Sequence, residues 1–301
     1  MMKILLFIKS LVNSFEKTLR IIAFRNKYKG ISYSKYSYFF KNILRANALK
    51  EHDVLFQEEN NRLVANIPVN NQKVKLIIYS GNDLNLIDLV FVHRTYNFIL
   101  SQPVNVMDLG MNIGDTCLFF ASNPMVKKVY GYELCEPIYR IALENFSLNP
   151  QLSRKIEPYC YGIGDKKESI QISFHSDYLG ANGIYESAGM HLFKNKGQLL
   201  NCQVESISQE LSKMESEIPL LLKIDVEGSE YKILRELDRT KFFKPIKYLI
   251  MEYHFSHQDL LDILIRNGFE VNEIFSSRNE NIDLGLVHDK KYDNLIINNL
   301  C

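Results

Sequence analysis

The chain has 301 residues, 46% of them hydrophobic, and a formal net charge of +1. That is enough for one large α/β domain with an appendage, or for two modest domains. Its five cysteines (117, 135, 160, 202 and 301) form no Cys-x-x-Cys pair and have no His or Cys partners at zinc spacing, which argues against a disulfide framework and for a reducing compartment.

The charge is uneven. Residues 1–50 hold eleven Lys/Arg and a single acid, Glu16, whereas the rest of the chain holds 25 basic and 34 acidic side chains. A basic arm ahead of a mildly acidic body points to an anionic partner: a lipid surface, a nucleic acid or an acidic substrate. The opening "MMKILLFIKSLV" is like a signal peptide, but Lys9 interrupts the apolar run and no small-residue cleavage site follows. No window reaches eighteen uncharged apolar residues, so no spanning helix is expected. Ile4, Ile8, Leu11, Phe15, Leu19 and Ile22 recur at helical spacing, with Lys3, Lys9, Lys17 and Arg20 between them. That pattern predicts a basic amphipathic helix, suited to a membrane interface or to packing on the body of the protein. The segment is also acid-poor, as organelle transit peptides are.

Residues 62–79 alternate apolar and polar side chains around "PVNNQ", and Asn70-Asn71 tolerate positive φ, so a hairpin is expected. A helix capped by Asn82 or Asp83 and ending near Leu100 follows, with Pro103 as its boundary. From residue 104 the rhythm changes to strand 104–109, helix 114–122, strand 127–133, helix 136–147 and strand 155–161. The stretch 176–216 is rich in Gly, Asn and Ser and reads as a long excursion with some helix near 204–214. The pattern resumes with strand 219–225, helix 229–239, strand 246–252, helix 257–267, strand 269–275 and strand 293–298. Alternating βα units imply an α/β fold with a mostly parallel sheet covered on both faces. The two last strands, with no long helix between them, would form an antiparallel edge. Residues 1–100 would be an N-terminal extension and 101–301 the main domain.

The first chemical site is "VNVMDLGMNIGDT". A buried strand runs into Asp108, Gly110, Asn112, Gly114 and Asp115, and a helix follows. Strand, glycine turn and helix make a nucleotide site at the carboxyl edge of a parallel sheet. A dinucleotide loop is G-x-G-x-x-G, with its middle glycine under the pyrophosphate. Here Asn112 takes that place, and Asp108 and Asp115 bracket the turn. Two carboxylates repel a pyrophosphate and suit a cation, such as the sulfonium and ammonium of S-adenosylmethionine. Glu133, at the end of the second strand, is placed to accept from both ribose hydroxyls. Asp165, in "YGIGDKK", follows the third strand, where an acid could accept from the adenine amine; it is equally an ordinary turn acid.

The second site is "KIDVEGSE". Methyl transfer to a hydroxyl needs the acceptor oxygen aligned with the methyl and its proton removed. A carboxylate or histidine does the latter; a divalent ion held by carboxylates is the alternative route. Asp225 ends the fourth strand and Glu227 would share its face, while Glu230 falls in the next helix's first turn and serves its dipole. One strand later come Glu252 and His254. Catalysis is therefore assigned to Asp225, Glu227 and His254. Glu227 is equally placed to pair Lys223, and His254 to pack or cap. Amino methyltransferases of nucleobases carry an Asp/Asn-Pro-Pro-aromatic turn here; Asp-Val-Glu-Gly favours a hydroxyl acceptor.

Together "VMDLGMNIGDT", "VYGYELCEPIYRIALENFSLN", "LLLKIDVEGSEYKIL" and "IKYLIMEYH" resemble the FkbM family of S-adenosylmethionine-dependent methyltransferases over about residues 104–270. The resemblance implies a class I, Rossmann-like methyltransferase fold and O-methylation, often of sugars or polyketide-type hydroxyls. It also implies a cofactor loop of Asp108, Gly110, Asn112 and Gly114, a ribose acid at Glu133, and Asp225 and Glu227 beside the methyl group. Two departures stand out: Glu133-Leu134 replaces the family's usual Glu-Pro, and Ser208 stands where an Asp is usual before the fourth strand. The expected protein is thus a cytoplasmic O-methyltransferase of a saccharide or lipid-linked glycan, or of another small molecule. S-adenosylmethionine is its cofactor, residues 1–30 contact the inner membrane face, and no DNA partner is expected. Two alternatives remain. One is an RNA methyltransferase using Tyr28, Tyr33, Tyr36 and Tyr38 interleaved with lysines; the other is a non-catalytic binding protein on the same fold.

Overall fold

The computed structural model describes residues 26–174, 197–214, 217–253, 258–276 and 283–289. The amphipathic stretch 1–22, His254 and the strand expected at 293–298 lie outside the described residues. The chain divides into two compact units, Met1–His93 and Arg94–Cys301.

In the first unit, helices α1 (Ser37–Lys41) and α2 (Ile43–Glu51) precede three antiparallel strands, β1 (Leu55–Glu59), β2 (Arg62–Val69) and β3 (Gln72–Ile77). The expected hairpin forms. Asn70 and Asn71 both take positive φ, 46° and 61°, between paired Val69 and Gln72, the backbone a two-residue hairpin requires. Asn60 and Asn61 repeat the device between Glu59 and Arg62. This adds strand β1, whose polar "LFQEE" has no buried alternation to announce it. The helix expected from 82 to near 100 is shorter: α3 (Asp83–Ile87) continues as one wide π turn to Val92. Arg94, at φ 55°, then breaks it. Asp83 is buried, and its carboxylate accepts the amides of Tyr79 and Ser80 at 2.6 and 2.9 Å. Tyr28 and Tyr36 are buried, and Tyr38 donates to the Ile78 carbonyl.

In the second unit, β4 (Val104–Leu109), α4 (Asp115–Ser122), β5 (Val126–Tyr132), α5 (Glu136–Ser147), a short α6 (Pro150–Ser153) and β6 (Ile156–Tyr159) follow the expected order within one or two residues. A second sheet follows β6: β7 (Gly162–Gly164) and β8 (Glu168–Phe174), which precede the stretch 176–216 and were not expected, and β9 (Gln198–Ser206) within it, in the order β7-β9-β8. Helix α7 (Ile207–Lys213) leads into β10 (Leu220–Ile224), α8 (Glu230–Thr240), β11 (Ile246–Tyr253), α9 (Gln258–Arg266), β12 (Phe269–Ser276) and β13 (Asp283–Asp289).

The large sheet runs β12-β13-β11-β10-β4-β5-β6. The five strands from β11 to β6 are parallel, and β13 is antiparallel to both neighbours. Among the described residues the antiparallel edge is therefore present, formed by β12 and β13. Every residue of β4 and β10 is buried, as central strands covered on both faces must be. Helix α8 lays Ile233, Leu234 and Leu237 on one such face, against Leu222, Ile224 and Leu249. Since β4 and β10 are neighbours, the turns that leave their carboxyl ends meet.

Leu222 is fully buried in the central strand. Leu222→Ala is expected to cost about 2–5 kcal/mol, read from the urea midpoint followed by near-ultraviolet circular dichroism. A loss below about 1 kcal/mol would contradict this placement of the core.

Candidate active site

The loop after β4 is built from backbone as much as from side chains. Gly110 and Met111 donate their amides to the Tyr132 carbonyl at 3.0 and 2.9 Å. Gly110 has φ +78°, and a Cβ there would stand 1.8 Å from the carbonyl oxygen of Asp225. Only glycine lets the two turns lie against each other. Gly114, at φ +83°, has the ring of Phe146 in the Cβ position, 2.5 Å away. Asn145, on the same helix as Phe146, donates to the Ile113 carbonyl at 2.9 Å. Helix α5 thus holds the loop from below.

Asn112 stands at the crest of the loop with φ 50°, and its amide reaches Glu133 Oε2 at 3.0 Å. Glu133 Oε1 accepts the Cys135 amide at 2.9 Å. Each carboxylate oxygen keeps a further lone-pair direction. Burial pushes Glu133 up to about 7, against the two backbone donors. Asp115, the first residue of α4, is also driven up to about 7 by burial. Its Oδ1, like Asn112 Oδ1, is buried with no hydrogen-bond partner among the described residues.

Asp108 differs from both. Its Oδ2 receives the Thr116 hydroxyl and the Cys117 thiol, and its Oδ1 faces Lys223 Nζ at 3.1 Å. Oδ2 is held by hydrogen bonds and Oδ1 by the ion pair with Lys223 alone, so this acid organises the loop from within. Lys223, which sequence reading raised only as a partner for Glu227, is the centre of the site. It pairs in register with Asp108 across β10 and β4 and is only 1% exposed. Its ammonium donates to the carbonyls of Gly110 at 2.7 Å and Leu109 at 3.3 Å, and lies 3.5 Å from Asp225 Oδ2. Burial, the largest influence, acts to lower its pKa; Asp108 and Asp225 together reverse that and hold it above the usual lysine range. The signal was legible: a lysine inside "LLLKI", two residues before an acid and so on its face.

Strand β10 ends at Ile224, and Asp225 begins the turn, its amide on the Leu109 carbonyl at 3.1 Å. Asp225 and Glu227 do not share a strand face, because Glu227 takes φ 54° within the turn. Glu230 is buried and accepts the amides of Gly228 at 3.0 Å and Val226 at 3.4 Å. It therefore ties the turn to the start of α8, more than a dipole role alone. Glu252, near the end of β11, is close enough to Tyr96 to act on its phenol. Tyr96, which sequence reading missed, donates to Asp225 Oδ2 at 3.4 Å. Asp165, half-buried after β7, lines a groove with Tyr231, Arg235, Asp262 and Arg266 of α8 and α9. Ser208 donates to Glu236 at 2.7 Å. Among the described residues, no group of three or more His, Cys, Asp or Glu is arranged to hold a metal ion.

A glycine turn between strand and helix, an acid at the end of the next strand and a central parallel sheet with an antiparallel edge define a class I methyltransferase. The model of the methyltransferase FkbM domain matches residues 108–271, and the chain belongs to that family. It is similar to AMB antimetabolite synthetase AmbE of Pseudomonas aeruginosa, 24% identical over 224 residues, which are 61% of this chain and 10% of that protein. Among solved structures it is similar to the methyltransferase FkbM of Methylobacillus flagellatus. The identity is 17% and the TM-score 0.45, over 65% of this chain and 46% of that one. The N-terminal domain of human METTL16, solved with SAH, aligns at 14% identity and TM-score 0.40 over 83% and 82% of the two chains. The chain thus spans a tenth of the curated relative and about half of the FkbM structure.

Asp115 and Glu133 titrate near 7 when folded, against ordinary values of 3.8 and 4.5. Between those values the folded state binds more protons than the unfolded one, so stability falls as pH rises through the window. In urea denaturation at about pH 5 and pH 8, Glu133→Gln should lose less stability between the two than wild type does. An unchanged difference would mean that Glu133 is solvated.

Proposed function

We propose that this protein is an S-adenosylmethionine-dependent O-methyltransferase acting on a hydroxyl of a saccharide or lipid-linked glycan. One observation carries the cofactor. Asp108, Asp115 and Glu133 gather around Lys223, and the Oδ1 atoms of Asn112 and Asp115 are buried with no hydrogen-bond partner among the described residues. Such a site carries excess negative charge and accepts a cation. The residues fit the group: the backbone from Gly110 to Gly114 would approach it, Asn112 and Asp115 would offer acceptors, and Glu133 would offer its remaining lone pairs to the ribose. When bound, S-adenosylmethionine supplies a methyl group on positively charged sulfur, which keeps the electron pair as the carbon–sulfur bond breaks.

The chain's own work is then alignment and proton removal. Asp225, 23% exposed in its side chain at the end of the central strand, takes the acceptor's proton as the hydroxyl oxygen bonds to the methyl carbon. Glu227, half-buried in the same turn, is the second acid at this opening. The Asp-Val-Glu-Gly turn supports a hydroxyl over a nucleobase amine. The tyrosines that would stack on RNA point the same way: Tyr28 and Tyr36 are buried and Tyr38 is bonded to backbone, which leaves Tyr33 exposed. The likeness to a segment of an antimetabolite synthetase keeps small-molecule hydroxyls in the same acceptor class. Residues 101–301 would be the catalytic domain. The basic arm, residues 1–30, would bring it to an anionic membrane surface on the cytoplasmic side.

Calorimetry with S-adenosylhomocysteine tests the reading. Wild type should bind, Glu133→Ala should bind at least about tenfold more weakly, and Asp225→Ala should bind like wild type. With tritiated cofactor and a glycan and glycolipid extract, Asp225→Ala should transfer no methyl. Absence of binding to wild type would overturn the cofactor assignment.

A further inference from the structure

Asp225 is held from one side. Its Oδ2 faces the Tyr96 hydroxyl at 3.4 Å and Lys223 Nζ at 3.5 Å. Among the described residues no hydrogen bond reaches Oδ1. Both Oδ2 distances lie at the long end of hydrogen bonding.

The two donors are themselves fixed. Lys223 is anchored on β4 by the Gly110 and Leu109 carbonyls and by Asp108. Tyr96 is buried, with its ring over Lys223 at 5.7 Å and against Phe120 at 6.3 Å. Burial, then the charges of Asp225, Glu252, Asp115 and Asp108, keep its phenol well above 10. It is therefore a neutral donor and no base. Tyr96 also lies outside residues 108–271, which carry the family likeness.

We infer that Tyr96 and Lys223 form a positioning pair for Asp225, pinning Oδ2 inward so that Oδ1 is presented to the acceptor hydroxyl. The inference rests on the reading of Asp225 as the proton acceptor. A carboxylate free to rotate presents its lone pairs in many directions. Pinned at one oxygen by two donors, it presents the other in one, and alignment of this kind is a large part of what an enzyme supplies in such a transfer. Tyr96 makes the pinning depend on the segment that enters β4, remote in sequence from the "KIDVEG" turn.

Tyr96→Phe removes the hydroxyl and keeps the ring. Lys223→Met would leave Asp108 buried without its partner, so the tyrosine carries the test. Atomic-resolution crystal structures of wild type and Tyr96→Phe, each with S-adenosylhomocysteine, need no acceptor. The Asp225 carboxylate should keep its orientation in wild type and rotate, or split into two conformers, in the variant. An unchanged carboxylate would overturn the inference. In methyl transfer to the glycan and glycolipid extract, Tyr96→Phe should lower kcat by about 10- to 100-fold and leave the KM for S-adenosylmethionine unchanged. In an Asp225→Asn background the same substitution should change the residual turnover no further. Equal losses in both backgrounds would make the tyrosine's role structural and overturn it. Full turnover by Asp225→Asn would instead remove Asp225 as proton acceptor, while the crystal comparison would still judge the pinning.

Discussion

The site depends on one ammonium group placed where water cannot reach it. Lys223 is the fourth residue of a five-residue strand whose other side chains are apolar. Burying a charge there is costly unless it is paired and hydrogen-bonded. Two carboxylates and two backbone carbonyls meet that requirement. Packed apolar side chains could stabilise the sheet as well as this ion pair does. The lysine adds position: it binds the turn after β4, through the Gly110 carbonyl, to the turn after β10, through Asp225. Four acids can gather at one sheet edge because this cation is already among them.

The acids of that edge share a residue type but not an environment. Asp108 is fully buried, with Oδ2 taken by Thr116 and Cys117 and Oδ1 ion-paired with Lys223. Asp115 and Glu133 are buried with capacity to spare, so their carboxyl groups stay protonated to higher pH than usual. Asp225 is partly open. Glu230 is spent on the amides of its own turn. Burial and the number of donors divide them into frame, ligand-facing and reactive groups.

Much of this was legible in the sequence. The parallel core from 104 to 253 announced itself through apolar runs such as "LLLKI" alternating with amphipathic helices, and both glycine turns fell where expected. What escaped had weak local signals. Strand β1 has no fully buried residue and β9 lies in the stretch rich in Gly, Asn and Ser, whereas β8 does alternate, at Ile170, Ile172 and Phe174, and was overlooked ahead of that stretch. The helix at 83 was read too long, because nothing in "VHRTYNF" shows that Arg94 turns left-handed. Lys223 was visible, but its partners were misjudged: register across neighbouring strands puts Asp108 beside it, which spacing within one strand does not reveal. Tyr96 could not be found at all, since 129 residues separate it from Asp225 and only the folded sheet brings them together.

The contact between Gly110 and the Asp225 carbonyl has a longer reach. It is backbone against backbone, with no side chain in between to absorb a change. An insertion or a bulkier residue in either turn would displace the other. The two turns can therefore drift only as a pair over evolutionary time, and each constrains the other's history. Novelty in what such an enzyme recognises has to be recruited from chain segments that arrive at this edge from elsewhere, as the one bearing Tyr96 does. A designer seeking a new acceptor would start with those segments and leave the paired turns as they are.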